Sequence, residues 1–333
     1  MIDRRSFLSG VMAGAAVLAA PAVLRAQARD KMSLMTPFGF IPDFIDMMNA
    51  VAGGHFAAQG IDAELVGGQG AASPIQQLMA GKTDMIRVAG LDVIRTVGNN
   101  KAPMVAVATL YQASTFHMIS LKSKPIEKAE DLKGKTVGIV SVAGTTDVFL
   151  DLMLHKVGLN KDDVKREVTG NSPGAIQFVK QGRVDCFIAS LQVVAALDKM
   201  KEDVVVWSTD RYAPMPGQCY ATSNAFADKN PDLMRRAMKA MKASAEEIMT
   251  QPLVPIFQRA AKMFEISGLK DVQADADIEK LTVDRLWLSE GRENLLRNMP
   301  KLWESGVTAL RDNKIADIPD PTVLYTNRFL DPA

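Results

Sequence analysis

DLKGKTVGIVSVAGTT, residues 131–146, is the stretch that decides the fold of this chain. A polar turn with Gly134 precedes the apolar run 136–140, which is too short for a helix and is typical of a buried strand in a parallel sheet. A loop of small residues follows at 141–146, and apolar residues then recur at helical spacing over 147–157. Strand, loop and helix in this order form the repeating unit of an α/β fold.

The loop 141–146 has the chemistry of an anion contact. The first N–H groups of a helix lack partners within the helix, and the positive end of the helix dipole lies behind them. We therefore expect Ser141, Gly144, Thr145 and Thr146 to contact a ligand. The alternative, which needs the same residue types, is that Thr145 or Thr146 caps the helix.

The same alternation of apolar runs and helical segments occupies most of the chain. Strands are predicted at 32–36, 61–66, 84–89, 104–110, 118–121, 136–140, 164–168, 184–189, 204–208 and 219–223. From residue 228 onwards the pattern is almost wholly helical, and methionine and alanine recur at the spacing of a packed helix face. We predict two α/β units, each with a doubly wound sheet.

The first 28 residues have the pattern of an export signal. Arg4 and Arg5 precede an apolar, alanine-rich stretch, and Ala26 and Ala28 form a small-residue cleavage site. The pattern resembles a twin-arginine signal peptide, and Arg25 close to the cleavage site suits that route. We expect cleavage after Ala28 and a periplasmic location.

The balance of charge excludes several classes of partner. The chain has 39 basic and 38 acidic residues, so it lacks the excess of positive charge that nucleic acid or an anionic membrane surface requires. The histidines stand apart without the spacing of metal ligands, and no cofactor motif is present. Whether Cys186 and Cys219 pair is left open, because the periplasm permits a disulfide and a small buried cysteine needs none. Nothing in the sequence demands more than a monomer.

Six short segments, taken in order, carry a family resemblance. They are FGFIPDF at 38–44, GGHFAAQGIDAELV at 53–66, GQG at 68–70, AGKTD at 80–84, DLKGKTVGI at 131–139 and QGRVDCFIAS at 181–190. Together they resemble the exported substrate-binding components of ABC importers, in the group that takes up alkanesulfonates, taurine, nitrate and thiamine-pyrimidine precursors.

The resemblance implies a two-lobed periplasmic binding protein of the type II-like α/β class. Lobe 1 would comprise residues 29–113 and 218–333, and lobe 2 residues 114–217. Two crossings, near 111–116 and 211–219, would act as the hinge, and a small anionic, aromatic or heterocyclic solute would bind in the cleft between the lobes. The closed form would then deliver the solute to a permease in the inner membrane, without catalysis.

The loop after the first strand supplies further candidate ligand contacts. Phe38, Gly39, Phe40 and Asp43 match the family segment there. Aromatic rings at this place can line a pocket, and they can equally staple the start of the following helix.

Glycine-rich turns supply backbone N–H groups as possible contacts. Gly70 and Ala71 precede a predicted helix, and Gly90 ends the strand 84–89. The G-x-G-x-x-G spacing of a dinucleotide-binding loop is absent here.

Arg87 is unusual because it lies in a run that otherwise suits a strand buried on both faces. If the side chain faces the cleft, its guanidinium can hold a carboxylate, sulfonate or sulfate with two hydrogen bonds. If it faces away, Asp84 or Asp92 is the expected structural partner. The sequence does not fix the facing of a strand, so both orientations stay open.

Polar residues at other strand ends and at the hinge complete the candidate ligand contacts. Asn171, Ser190 and Gln192 follow strands of the second unit, and Gln192 departs from the proline or small polar residue common in the family. Tyr111 and Tyr212 lie beside the predicted crossings, where their rings can close over a solute or simply pack at the junction of the lobes.

Two other functions share this fold. A sensor would use the same closure to signal to a membrane partner instead of a permease. A pyrimidine-synthase or dehydratase-like enzyme is the other alternative, but the yeast-type synthases carry a cysteine-rich motif and this chain has two isolated cysteines. We therefore expect a binding protein and not an enzyme.

Overall fold

The computed structural model describes residues 29–331. The predicted signal peptide, residues 1–28, lies outside the described residues. None of the helices in the described range has the length and apolar character that a bilayer crossing requires.

Four strands and four helices alternate in the first part of the chain. The strands are β1 (Asp30–Thr36), β2 (Ile61–Gly67), β3 (Met85–Ala89) and β4 (Met104–Thr109). The helices are α1 (Ile45–Ala52), α2 (His55–Ala58), α3 (Ala72–Met79) and α4 (Gly90–Asn100), with a short 3-10 turn, Pro42–Phe44, before α1. All six residues of β4 are buried, as expected for a strand covered on both faces.

The second part repeats this arrangement. Its strands are β5 (Phe116–Leu121), β6 (Thr136–Ile139), β7 (Lys165–Val168), β8 (Cys186–Ser190) and β9 (Val204–Ser208). Its helices are α5 (Thr145–Lys156), α6 (Ile176–Lys180) and α7 (Leu191–Lys199).

The last part adds one strand and five helices. They are β10 (Gln218–Ser223), α8 (Asn224–Lys229), α9 (Pro231–Thr250), α10 (Leu253–Ala261), α11 (Val272–Thr282) and α12 (Pro300–Asp312). Each strand predicted from the sequence is present, with its ends within two residues of the prediction.

The two five-stranded sheets have equivalent strand orders. The first sheet runs β2-β1-β3-β10-β4 and the second β7-β6-β8-β5-β9. In each sheet the central strands pair in parallel, whereas β10 and β5 run antiparallel to both of their neighbours. Both sheets are therefore mixed, and in each of them the antiparallel strand is the one that follows a crossing from the other sheet.

Two crossings connect the sheets. The chain leaves β4 for β5 and later returns from β9 to β10. The crossings lie side by side, because Gly217 N donates to Tyr111 O at 2.8 Å and Ser114 N donates to an Asp210 carboxylate oxygen at 2.7 Å. The predicted hinge segments are thus hydrogen-bonded to one another.

The C-terminal helices cover the first sheet. Helix α9 packs on α1 and α2, and α12 packs on α4. Met234, Met238 and Met241 of α9 are fully buried at helical spacing, which confirms their prediction as core residues. The two cysteines are buried and unpaired, since Cys186 lies in the second sheet and Cys219 in the first.

Candidate ligand-binding cleft

A narrow cavity lies between the two sheets, at the strand ends that the crossings join. It is lined by Ala89, Leu91, Ser114, Thr115, Phe116, Thr145, Phe149, Pro216, Gly217 and Gln218. These residues come from both sheets and from both crossings. The free space among them is about 20 Å³, which is enough for a water molecule and little more. A solute can enter only if the two sheets move apart.

Gln218, the first residue of β10, is a cavity residue that the sequence reasoning missed. Its backbone carbonyl accepts hydrogen bonds from Leu110 N and Tyr111 N, at 2.8 and 3.0 Å. Its side-chain Oε1 is buried and has no hydrogen-bond partner within residues 29–331. A buried oxygen without a donor is rare in a folded protein, so Gln218 is a candidate acceptor for a ligand. Its position as the first residue of a strand that follows a crossing is the signal that could have found it.

The four residues predicted as ligand contacts at the start of α5 have different surroundings. Thr145 lines the cavity. Thr146 is buried and its Oγ1 accepts a hydrogen bond from Val140 N, at the end of the preceding strand, at 3.0 Å. The capping alternative was wrong, because the N-cap of α5 is Gly144 and no side chain caps this helix. Ser141 is exposed, and its backbone carbonyl accepts from Gly144 N at 3.3 Å. Of the four, Thr145 is therefore the one that this structure brings to the cavity.

Asp43 and Gln192 meet across the cleft. Asp43 lies in the 3-10 turn that follows β1, and Gln192 in the first turn of α7, which follows β8 of the opposite sheet. Gln192 Nε2 donates to Asp43 Oδ1, and the Tyr111 hydroxyl donates to the same oxygen at 2.8 Å. The Asp43 side chain is 22% exposed. Three residues predicted separately from the sequence thus form one polar cluster.

Arg87 lies beneath this cluster. Its side chain is fully buried, and Nη1 donates to Asp46 Oδ1 at 2.6 Å and to the carbonyl of Asp43. Nη2 lies 3.4 Å from Asp43 Oδ2, and the guanidinium stacks on the rings of Phe44 and Tyr111. The side chain faces α1. The expectation that Asp84 or Asp92 would be its structural partner was wrong. Asp46 lies in the first turn of α1, 41 residues away from Arg87 in sequence, so no local pattern points to it.

Burial raises the pKa of two carboxyl groups at this end of the cleft, those of Asp43 and Glu279. Burial raises the pKa of Asp43, although the Arg87 charge and the Tyr111 hydrogen bond oppose the shift. Glu279 of α11 is 3% exposed, and burial together with the Asp43 and Asp46 carboxylates raises its pKa well above the usual range. Its Oε1 has no partner within the described residues. Glu279 was not among the residues expected to be functional.

The remaining loop residues of the first sheet have different surroundings. Phe38 is half exposed, whereas the Phe40 ring packs on Phe264, with 4.8 Å between the ring centroids. Gly39 is exposed. Ala71 is the exposed N-cap of α3, and Gly70 N donates to Pro37 O at 2.9 Å. Phe40 is partly buried and packs against the core of the first sheet through Phe264, which is not a residue of the helix that Phe40 was expected to staple.

Gly90 lies against the second crossing. Its N–H donates to Gly217 O at 2.8 Å, and a Cβ atom at this position would lie 2.4 Å from Pro216 O. The residue therefore has to be glycine for the crossing to pack on α4.

Two predicted contacts of the second sheet pair with each other. Asn171 Oδ1 accepts from Ser190 N at 3.0 Å, and Asn171 Nδ2 donates to Ser190 Oγ at 3.2 Å. Tyr212 lies elsewhere, because its ring packs edge-on against Trp207 and its hydroxyl accepts from Ala129 N. Tyr212 thus shows the packing alternative rather than an orientation toward the cleft.

Metal chemistry finds no support in this part of the chain. Within residues 29–331 no three His, Cys, Asp or Glu side chains are placed to hold a metal ion.

Two α/β lobes with equivalent sheets, two crossings and a cleft at the strand ends define the periplasmic binding protein fold. The putative periplasmic sulfonate-binding protein SsuA of an ABC transporter from Methylobacillus flagellatus KT has this fold. It superposes with a TM-score of 0.67 at 15% identity, over 91% of this chain and 93% of that one. A likeness at this identity establishes the fold alone.

Within that fold the chain belongs to the NMT1/THI5-like family, whose model matches residues 41–253. A protein described as a putative thiamine biosynthesis protein from Haemophilus influenzae is 30% identical over 165 residues. That alignment covers 50% of this chain and about half, 51%, of the relative. A 4-amino-5-hydroxymethyl-2-methylpyrimidine phosphate synthase from Aspergillus parasiticus is 22% identical over 315 residues, which cover 90% of this chain and 87% of that one. The predicted family resemblance is confirmed.

Proposed function

We propose that this protein is the solute-binding component of an ABC importer, exported by its N-terminal segment and active as a periplasmic monomer. It captures a small solute between its lobes and presents the closed form to a permease in the inner membrane. The observation that carries the proposal is the Asp43–Gln192 contact between the two lobes, together with a cavity of only about 20 Å³ between the two sheets. Such a cleft has to open for the solute and close over it, which is hinge closure around a ligand.

The residues around the cavity are the proposed ligand contacts. Thr145 and Gln218 offer polar atoms, and Phe116 and Phe149 offer aromatic surface on the side of the second sheet. The Phe116 and Phe149 rings lie 6.0 Å apart at a tilted angle, so they form one apolar wall. A solute with a flat ring and a polar edge fits this combination, in keeping with the aromatic or heterocyclic class expected from the sequence.

A thermal-shift screen of residues 29–333 tests the proposal. The panel contains alkanesulfonates, nitrate, aromatic carboxylates and pyrimidines. A solute that binds only the folded chain stabilises it by about 2.7 kcal/mol at a hundredfold excess over Kd, so a rise in Tm identifies the ligand. Gln218→Leu should lose the shift, and Gln177→Leu, at an exposed position of α6, should keep it. A panel without any hit would contradict the proposal.

Catalysis is the second candidate function, because one relative is described as a pyrimidine phosphate synthase. Both thiols of this chain are buried, so neither is placed to act on a solute in the cleft. Mass spectrometry of the bound solute after denaturation separates the two functions. A binding protein returns the solute unchanged, and an enzyme returns a product.

A sensory role would use the same closure. Uptake of the labelled solute by cells with and without the gene separates it from transport. Loss of uptake on deletion supports the importer, and unchanged uptake supports the sensor.

A further inference from the structure

Helix α5 of the second lobe is apolar on two faces. One face packs in the core of its own lobe, through Leu150, Met153 and Leu154. The other face belongs to an apolar cluster that includes α4 and α12 of the first lobe and the second crossing. The members of this second face are Val148, Phe149 and Leu152, none of them more than 9% exposed. Helix α5 therefore takes part in the packing of both lobes.

Polar and apolar contacts extend along α5 on the side of the first lobe. Near its start, Phe149 lines the narrow cavity together with Leu91 of α4. At its end, His155 Nδ1 lies 3.4 Å from Nδ2 of Asn313, which follows α12. The helix thus lies against the first lobe from the cavity to its last turn.

Helix α7 makes a second set of contacts between the lobes. Leu191 is fully buried in the core cluster of the first lobe, and Val194 packs against that cluster and against the core of its own lobe. Gln192 donates to Asp43, and Lys199 Nζ lies 3.5 Å from a carboxylate oxygen of the N-cap residue of α11. These contacts run from the first turn of α7 to its last residue.

The contacts of α5 and α7 with the first lobe involve no solute. Separating the lobes would expose Val148, Phe149, Leu152 and Leu191 to water, and burial of such apolar side chains is favourable by itself. The cavity that remains between the sheets, about 20 Å³, is too small for a ring-shaped solute. The structure is therefore a closed form that its own side chains stabilise.

We propose that α5 and α7 form a clasp that holds the cleft shut in the solute-free protein, so that solute binds only to a minor open population. The inference goes beyond the proposed function, because it concerns the protein without its solute. The clasp competes with the solute, since the fraction of open molecules scales the apparent affinity. It acts as an autoinhibitory contact between the two lobes.

The distance between the lobes in solute-free protein tests the clasp. Gln69→Cys and Val168→Cys place one exposed thiol in each lobe, beside β2 and β7, the strands farthest from the crossings. The native thiols are buried and do not take the spin label. Double electron–electron resonance on residues 29–333 should give one narrow peak, at the distance of this structure. A main peak at longer distance would overturn the inference.

Two leucines of α5 provide a matched pair of variants. Leu152→Ala weakens the face toward the first lobe and should add a second peak at longer distance. Leu150→Ala removes the same atoms from the core of the second lobe and should keep the single peak of the wild type. Equal distance distributions for the two variants would overturn the role of α5.

Helix α7 offers an equivalent pair. Leu191→Ala weakens the contact with the first lobe, and Leu197→Ala weakens the core of the second lobe. Only Leu191→Ala should add the longer distance. Urea unfolding shows which variants fold, and the α7 pair decides the outcome if Leu152→Ala does not fold. Because all these measurements lack solute, an open wild type overturns the clasp and leaves the proposed function to the thermal-shift screen.

Discussion

Gln192 donates a hydrogen bond to Asp43, and this bond joins the helix start after β8 to the turn after β1 of the other sheet. The same carboxylate accepts from Tyr111 and lies near Arg87, so it is held in place by the first lobe when Gln192 arrives. The contact between the lobes therefore has one fixed partner and one that moves with the second sheet.

Replacing Gln192 with alanine should favour the open protein. The variant loses the donor that reaches Asp43 from the second lobe, so the population with separated lobes should grow. Small-angle X-ray scattering should show a larger radius of gyration than for the wild type. Gln177→Ala changes an exposed glutamine of the same lobe and should scatter like the wild type. Identical scattering from Gln192→Ala and wild type would show that this bond does not hold the cleft closed.

Replacing Arg87 with methionine should destabilise the fold strongly. The change leaves the buried carboxylate of Asp46 without its cation, and breaking a buried ion pair from one side typically costs about 3–5 kcal/mol. Urea unfolding measures the loss. Lys122→Met removes one member of an exposed pair with Asp203 and should change the free energy of unfolding by less than about 1 kcal/mol. A small effect at Arg87 would mean that Asp46 finds another donor.

Asp210, on the second crossing, should make the free energy of unfolding depend on pH. Burial raises the pKa of Asp210 from 3.8 to about 6. Between these values the folded state holds a proton that the unfolded state has released, so the stability due to this group falls as pH rises. The fall is at most about 3 kcal/mol and ends above pH 6.

Asp210→Asn tests this dependence, since it keeps an acceptor for Ser114 N and cannot ionise. The free energy of unfolding of the wild type, measured between pH 4 and 6.5, should fall relative to that of the variant. Asp203→Asn, at an exposed position, should keep the slope of the wild type. Parallel curves for wild type and Asp210→Asn would contradict the prediction.

Gly90 should tolerate no side chain. In Gly90→Ala the new Cβ atom would lie 2.4 Å from Pro216 O, so the second crossing must shift and its hydrogen bond to Gly90 N weakens. Overpacking of this kind costs about 1–3 kcal/mol, which urea unfolding can detect. Gly39→Ala is the matched control, because no atom lies within 4 Å of a Cβ there. Equal stability of the two variants would show that the crossing adapts freely.

The two cysteines should be unreactive in the folded protein. Both thiols are fully buried, and burial raises the pKa of Cys219 to about 12. Ellman's reagent should therefore label neither thiol until urea unfolds the chain, and should then label both. Failure to label unfolded, unreduced protein would reveal a disulfide.

The sequence predicted the strands well because most of them are short, largely apolar runs ended by glycine or polar residues, and this pattern is local. The exception is β7, which has three charged residues, Lys165, Arg166 and Glu167. Of the residues predicted to line the cleft, the structure brings some together and places others elsewhere. Asp43, Tyr111 and Gln192 follow strand ends and do meet, whereas Phe40 and Tyr212 are partly buried and pack against the cores of their own lobes. Residue type alone does not distinguish these outcomes, because an aromatic ring beside a hinge suits both.

The sequence predicted neither the residue that pairs with Arg87 nor the burial of Glu279 without a hydrogen-bond donor. Asp46 lies in α1, and Glu279 lies in a C-terminal helix that returns to the first sheet after the whole second lobe. Only the tertiary fold brings Asp46 to Arg87 and leaves the Glu279 Oε1 without a donor among the described residues. A charged residue inside the otherwise apolar strand β3 is the one signal that a buried partner must exist.

The position of β10 between β3 and β4 has a consequence for how the chain folds during synthesis. The strands of the second sheet come from one unbroken segment, 116–208, and that sheet can form as soon as the segment has left the ribosome. The first sheet has to wait for residues 218–223, although most of its strands are made earlier. We therefore expect lobe 2 to fold before lobe 1, although lobe 2 is synthesised later. Until then the strands β1 to β4 stay exposed and can pair wrongly.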